Sequence, residues 1–173
     1  MKKIIITAIS MTFLFGCALG YVYHTLPGEN PVITQNAQLQ KDFANGMTQL
    51  LNCQYFRNMY PKFYKELPKH TSVFFAYVDD PRFKDYYALT DAKQNIIYLT
   101  PNYFAVELDH QRESTMAHEM MHIIGMPKHV TKNPTQDERH ADAIYTTTHY
   151  CFFPLRPWSF LESGTPPMQG VGG

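Results

Sequence analysis

Residues His118-Glu119-Met120-Met121-His122 bring two imidazoles and a carboxylate into one short stretch. On a helix of 3.6 residues per turn, histidines four apart share a face, and their ring nitrogens can converge on one metal ion. Glu119 projects about 60° from His122 around the same cylinder, within reach of a water at that ion. A zinc ion with three protein ligands keeps a position for water and lowers its pKa toward ~7, while a nearby carboxylate takes the proton and passes it to a leaving amine. That is the chemistry of peptide-bond hydrolysis.

Chance produces such a spacing in roughly 1–2 % of chains of this composition, so its context matters. Met116, Met120, Ile123 and Ile124 fall on the side opposite the histidines, which lets the helix bury one face and turn the other to a site. Gly125 suits the left-handed residue that ends a helix, and Pro127 follows two positions later. The spacing predicts a metal helix from about Asp109 to Ile124.

From about Ile96 to His149 the chain resembles zinc-dependent metallopeptidases of the zincin class. The most specific piece is HEMMH joined to a downstream Glu-x-x-x-Asp, here Glu138 to Asp142, which is similar to the gluzincin arrangement. The resemblance implies Zn²⁺ held by His118, His122 and Glu138, Glu119 as general base, and Asp142 orienting a ligand histidine. His129 is the rival third ligand. The metzincin pattern H-E-x-x-H-x-x-G-x-x-H has Gly125 in place but puts its third histidine at Lys128, one residue before His129.

A helix from Thr135 to Tyr150 would carry Glu138, Asp142, Tyr145 and His149 on one face. Ala141 and Ala143 leave room for it to approach the metal helix. Zincins often use a Tyr or His to donate to an oxyanion, which makes Tyr145 and His149 candidates; simple packing or capping is the other reading of each. His140 points away from that face and reads as surface.

The chain's 173 residues support one domain with a real core. Zero formal net charge, a pI near 7.1 and no basic cluster beyond Lys2-Lys3 argue against nucleic acid as a partner. Lys2 and Lys3 followed by the apolar run Ile4 to Phe15 read as a signal segment. Leu14-Phe15-Gly16-Cys17 resembles the bacterial lipobox, which implies lipid on Cys17, and Ala18 fits passage to the outer membrane. The alternative is an uncleaved anchor over Ile4 to Tyr23. Either tethers the chain to a membrane, on the periplasmic face of a bacterial envelope. The chain divides into a signal at 1–17, a tether at 18–34 rich in turn residues, a domain at 35–160 and a loose tail at 161–173.

Cys53 and Cys151 remain as a pair. In an oxidising compartment they could close a loop worth up to ~4–5 kcal/mol in the entropy model, or they are two separate buried thiols.

Leu39, Phe43, Met47, Leu50 and Leu51 predict a first helix, with Thr34 or Asn36 as cap and Pro61 as stop. Ser72 to Val78, apolar on both faces, predicts a central strand, and Tyr86 to Thr90 with Asn95 to Thr100 a hairpin. Thr100-Pro101-Asn102 opens a short helical turn. Zincins place a strand just before the metal helix, and its free edge binds extended substrate through main-chain hydrogen bonds; Ile96 to Thr100 is the candidate.

The expected fold is α+β: a small zincin-like domain with a short, mostly antiparallel sheet, the metal helix, and a following helix that carries the third ligand. Three functions fit. The first is a membrane-tethered zinc metallopeptidase acting on a peptide or protein. The second is an inactive zincin-like module that binds an envelope partner around structural zinc, and the third a zinc hydrolase of a non-peptide amide. Glu119 favours catalysis, because a purely structural site has no need of a base beside its histidines.

Overall fold

Helix α1, Ala37–Asn52, forms where Leu39, Phe43, Met47 and Leu50 recur at helical spacing, and all four are buried in the core. The described residues of the computed structural model are 37–70, 73–127, 129 and 135–154. The signal, tether and tail expectations, Cys17, and the caps Thr34 and Asn36 lie outside them, as does the side chain of His140. Among the described residues no helix is long and apolar enough to cross a membrane.

The first helical stretch does not run unbroken to Pro61. It ends at Asn52, and Cys53 takes an extended conformation to start α2, Gln54–Met59. Pro61 then opens α3, Pro61–Glu66, from its first position, where its missing N–H costs nothing and its fixed φ is already helical. A disulfide joins Cys53 to Cys151, with Cα atoms 5.4 Å apart and a sequence separation of 98.

Among the described residues the sheet has three strands: β1, Phe74–Tyr77, β2, Ala88–Asp91, and β3, Ile96–Leu99, in the order β1-β3-β2. β1 runs parallel to β3 and β2 antiparallel to it. The sheet is therefore mixed, and two sequence expectations change places. The apolar run at β1 is an edge strand, while Ile96–Leu99 is central and has no free edge. β1 reads as central because its outer residues are covered by side chains: Phe75 meets the Phe43 ring edge-on and Tyr77 lies 6.0 Å from Phe104. The β2–β3 hairpin closes as expected, with Asp91 Oδ1 accepting from the Lys93 and Gln94 amides and Asn95 at φ +56°.

After α4, Pro101–Ala105, helix α5 spans Asp109–Ile123 and packs against α1, β2 and a C-terminal helix. At its contact with α1, Gly46 leaves no room for a side chain: an added Cβ would stand 2.5 Å from the Glu113 carbonyl oxygen. Asp42 locks the same interface from within the core. Its carboxylate accepts from Arg112 Nε and Tyr103 Oη, both at 2.9 Å, and from Gln38 Nε2 at 2.6 Å, tying α1, α4 and α5 together. These donors offset the cost of burying the carboxylate.

The expected helix over 135–150 is two helices, α6, Gln136–Ala141, and α7, Ala143–Phe152. Asp142 breaks them apart. Its backbone is extended, and its side chain caps α7 by accepting from the Ile144 and Tyr145 amides.

Candidate metal centre

Helix α5 ends in a Schellman motif that sets the geometry of everything after it. Gly125 sits at φ +82°, its N–H donates to His122 O, and the Met126 N–H donates to Met121 O, both at 3.0 Å. The reversal brings His129 back toward the helix face that carries His118 and His122. One ligand nitrogen from each of the three rings lies within 4.8 Å of the others. Nε2 of His118 and Nε2 of His129 are 2.9 Å apart.

The third ring is thus His129, and Glu138 is corrected. The Glu138 side chain is exposed, and its Oε2 accepts from the Thr135 amide at 2.7 Å while its own amide donates to Thr135 Oγ1 at 3.3 Å. This capping box spends the carboxylate on the local helix start. The metzincin spacing fails by one residue, yet His129 reaches the other two rings.

The Asp142 carboxylate meets one of the three clustered rings, that of His129. Its Nδ1–H donates to Asp142 Oδ2 at 2.8 Å. This fixes the tautomer with a lone pair on Nε2, the nitrogen that faces His118. Burial opposes the charge on Asp142, but the bonds from His129 and from the Tyr145 and Ile144 amides outweigh it and hold its carboxyl below the usual range.

The donor set fits a divalent metal. His118 is completely buried; that burial first, and then His129 and His122, keep its ring well below pH 6.5 and therefore neutral, the form that binds a metal. Its Nδ1 is buried without a hydrogen-bond partner among the described residues. Nitrogens bound at about 2.0–2.1 Å in a tetrahedron stand about 3.3 Å apart, a spacing that lies between the 2.9 Å of His118 and His129 and the 4.8 Å that bounds all three rings. Glu119 and Asp142 bring negative charge to balance a dication.

Glu119 is 2 % exposed and held from across the interface with the sheet: Thr90 Oγ1 on β2 donates to its Oε2 at 2.5 Å. Burial pushes its carboxyl up to about 7, with the Thr90 bond pulling the other way. Tyr145, from the first turn of α7, lays its ring 4.5 Å from that of His129 and 5.4 Å from that of His118. Burial pushes its phenol up, so it keeps its proton and remains a donor. His149 is buried one turn further along α7, with its ring 5.2 Å from Tyr150, and is not one of the three clustered rings.

Two neighbours were not found from the sequence. Thr90 sits 29 residues from Glu119, and no local periodicity links a strand threonine to a helix carboxylate. Arg139 lies over the Tyr145 ring at 6.0 Å. Only the burial of the expected hairpin against the metal helix could have pointed to Thr90. No family model, curated protein or solved structure matches this chain.

Proposed function

We propose that this HExxH-type site, which has the pattern of a zincin-like metallopeptidase with His129 as its third ring, binds zinc and hydrolyses peptide bonds. The observation that carries the reading is Glu119. Its carboxylate, on the residue next to His118, is buried and anchored by a neutral hydroxyl, with no cation paired to it among the described residues. A structural clip needs no such group.

Zinc, when bound, would polarise a substrate carbonyl and acidify a water. The chain's own residues supply the rest. His118, His122 and His129 hold the ion, and Asp142 keeps His129 in the correct tautomer. Glu119 accepts a proton from the attacking water and delivers it to the leaving amine. The Tyr145 phenol donates to the oxygen that gains charge. An extended peptide adds to the outward edge of β2, the strand next to α5, by main-chain hydrogen bonds.

A second reading, zinc as a structural clip in a binding module, is favoured by the depth of the cluster, with His118 wholly buried. Metal analysis paired with cleavage of a broad peptide library, for wild type and Glu119→Gln, separates the two. Stoichiometric zinc with cleavage lost in the variant supports the peptidase. Tight zinc with no cleavage by wild type supports the binding module, and cleavage confined to non-peptide amides supports the third function.

We further propose that lipid on Cys17 tethers the domain to the envelope. The charged start, the short apolar run and Leu14-Phe15-Gly16-Cys17 support this, as does the Cys53–Cys151 disulfide, which belongs to an oxidising compartment. Mass spectrometry of the mature N-terminus tests it. An unmodified Cys17, or a chain that begins elsewhere, overturns it.

A further inference from the structure

Thr90 is buried on β2, and its hydroxyl has a single proton to give. Glu119 Oε2 receives it at 2.5 Å, while the Glu119 carbonyl oxygen stands further off at 3.4 Å. Because a β-branched side chain is stiff at χ1, the hydroxyl is fixed relative to the strand backbone. The carboxylate it grips is fixed with it, and Oε1 remains for a proton in flight.

The backbone of the same residue faces the other way. Thr100 N donates to Tyr87 O, one step along the register that continues as Ala88↔Leu99 and Thr90↔Ile97. Bonded and non-bonded pairs alternate in an antiparallel ladder, so Ala88 and Thr90 occupy non-bonded positions and turn their N–H and C=O groups away from β3. Among the described residues no further strand pairs there. One residue thus presents main-chain groups to the open edge and its side chain to Glu119.

We propose that Thr90 is a positioning residue, which ties the Glu119 carboxylate to the backbone of the strand that receives the substrate and so refers the base and the scissile bond to one frame. The catalytic part of this rests on the peptidase reading; the hydrogen bond itself does not.

The test uses the full chain with ¹³C-labelled glutamate in three forms: wild type, Thr90→Val, which keeps the shape and removes the donor, and Thr90→Ser, which restores it. The Glu119 carboxyl carbon is identified as the resonance missing in Glu119→Gln. We expect it to shift in Thr90→Val, with zinc-loaded and with chelator-treated protein, and to return in Thr90→Ser. Zinc stoichiometry should stay at that of wild type in all three. In peptide cleavage kcat should fall about 10-fold or more in Thr90→Val, the size of one hydrogen bond lost to a charged group. KM should stay within about twofold, and Thr90→Ser should recover most of kcat. A carboxyl resonance that does not move overturns the proposal. So does a kcat preserved in Thr90→Val, or a loss that serine fails to rescue. If wild type cleaves no peptide, the peptidase reading falls by itself, and the resonance alone decides whether Thr90 holds Glu119.

Discussion

His129 Nδ1 donates to Asp142 Oδ2 at 2.8 Å, while Asp142 Oδ1 accepts from the Ile144 and Tyr145 amides at 2.8 and 3.0 Å. One carboxylate therefore sets both the tautomer of the third ring and the start of the helix that brings Tyr145 against it. Metal site and fold are coupled through this side chain.

That double use can be split by mutation. Asp142→Asn keeps an oxygen for the cap, and Asp142→Ala loses it, so only the alanine variant should give up the ~1 kcal/mol typical of a helix cap. Both should weaken zinc by the ~10–100-fold usual when a ligand's hydrogen-bond partner is removed. Chelator competition and denaturation of the metal-free chain measure the two effects separately. Undiminished zinc affinity in both variants would contradict the role of Asp142.

His129→Ala should abolish stoichiometric zinc binding, because two rings remain. Glu138→Ala should bind zinc as wild type does and lose no more than ~1 kcal/mol of stability, since its carboxylate serves only the capping box. Zinc titrations of the two variants side by side give the answer. The opposite order would restore Glu138 as the third ligand.

Glu119→Gln should keep zinc and most of the stability, because the side chain is replaced by one of the same shape. Peptide turnover should fall by roughly 10²–10⁴-fold, the usual contribution of general acid–base catalysis. Turnover equal to wild type would remove Glu119 from the proton path.

Gly46→Ala should destabilise the domain by about 1–3 kcal/mol, the cost of overpacking. The new methyl would meet a backbone carbonyl, that of Glu113, which cannot swing aside as a side chain would. Urea unfolding measures it; a stability equal to or above wild type would mean that α1 and α5 separate freely.

With Glu119 replaced by Gln, so that proton uptake by its raised carboxyl adds no stability in the same window, the metal-free chain should lose stability as the pH falls below about 6.5. Burial, then His129 and His122, depress the folded value of His118, so the unfolded chain takes up the proton first. The slope approaches about 1.4 kcal/mol per pH unit for one such group, and the contribution is full only above the unfolded pKa. Denaturant midpoints of chelator-treated Glu119→Gln at pH 7.5, 6.5 and 5.5 test the sign. A midpoint that rises on acidification contradicts it.

The sequence alone determined what depends on local geometry. The spacing of His118, Glu119 and His122 is a property of one helix. Gly125 ends that helix because few other residues adopt positive φ, and Leu39, Phe43, Met47 and Leu50 mark a buried face through their period. The hairpin about Asp91 and Asn95 was legible for the same reason.

Closure of the site was not local, and only the tertiary structure decided it. Glu138 and His129 were both plausible by spacing, but the Glu138 carboxylate accepts from the Thr135 amide at its own helix start, whereas His129 returns along a turn and meets Asp142 from another element. The helix expected to carry the third ligand breaks at Asp142, because a side chain that caps one helix cannot also continue the last. Which strand lies central depends on pairing across the sheet, a long-range choice to which the apolar run in β1 is blind. Thr90 reaches Glu119 only because β2 packs on α5, and a contact between two elements has no period in the sequence of either.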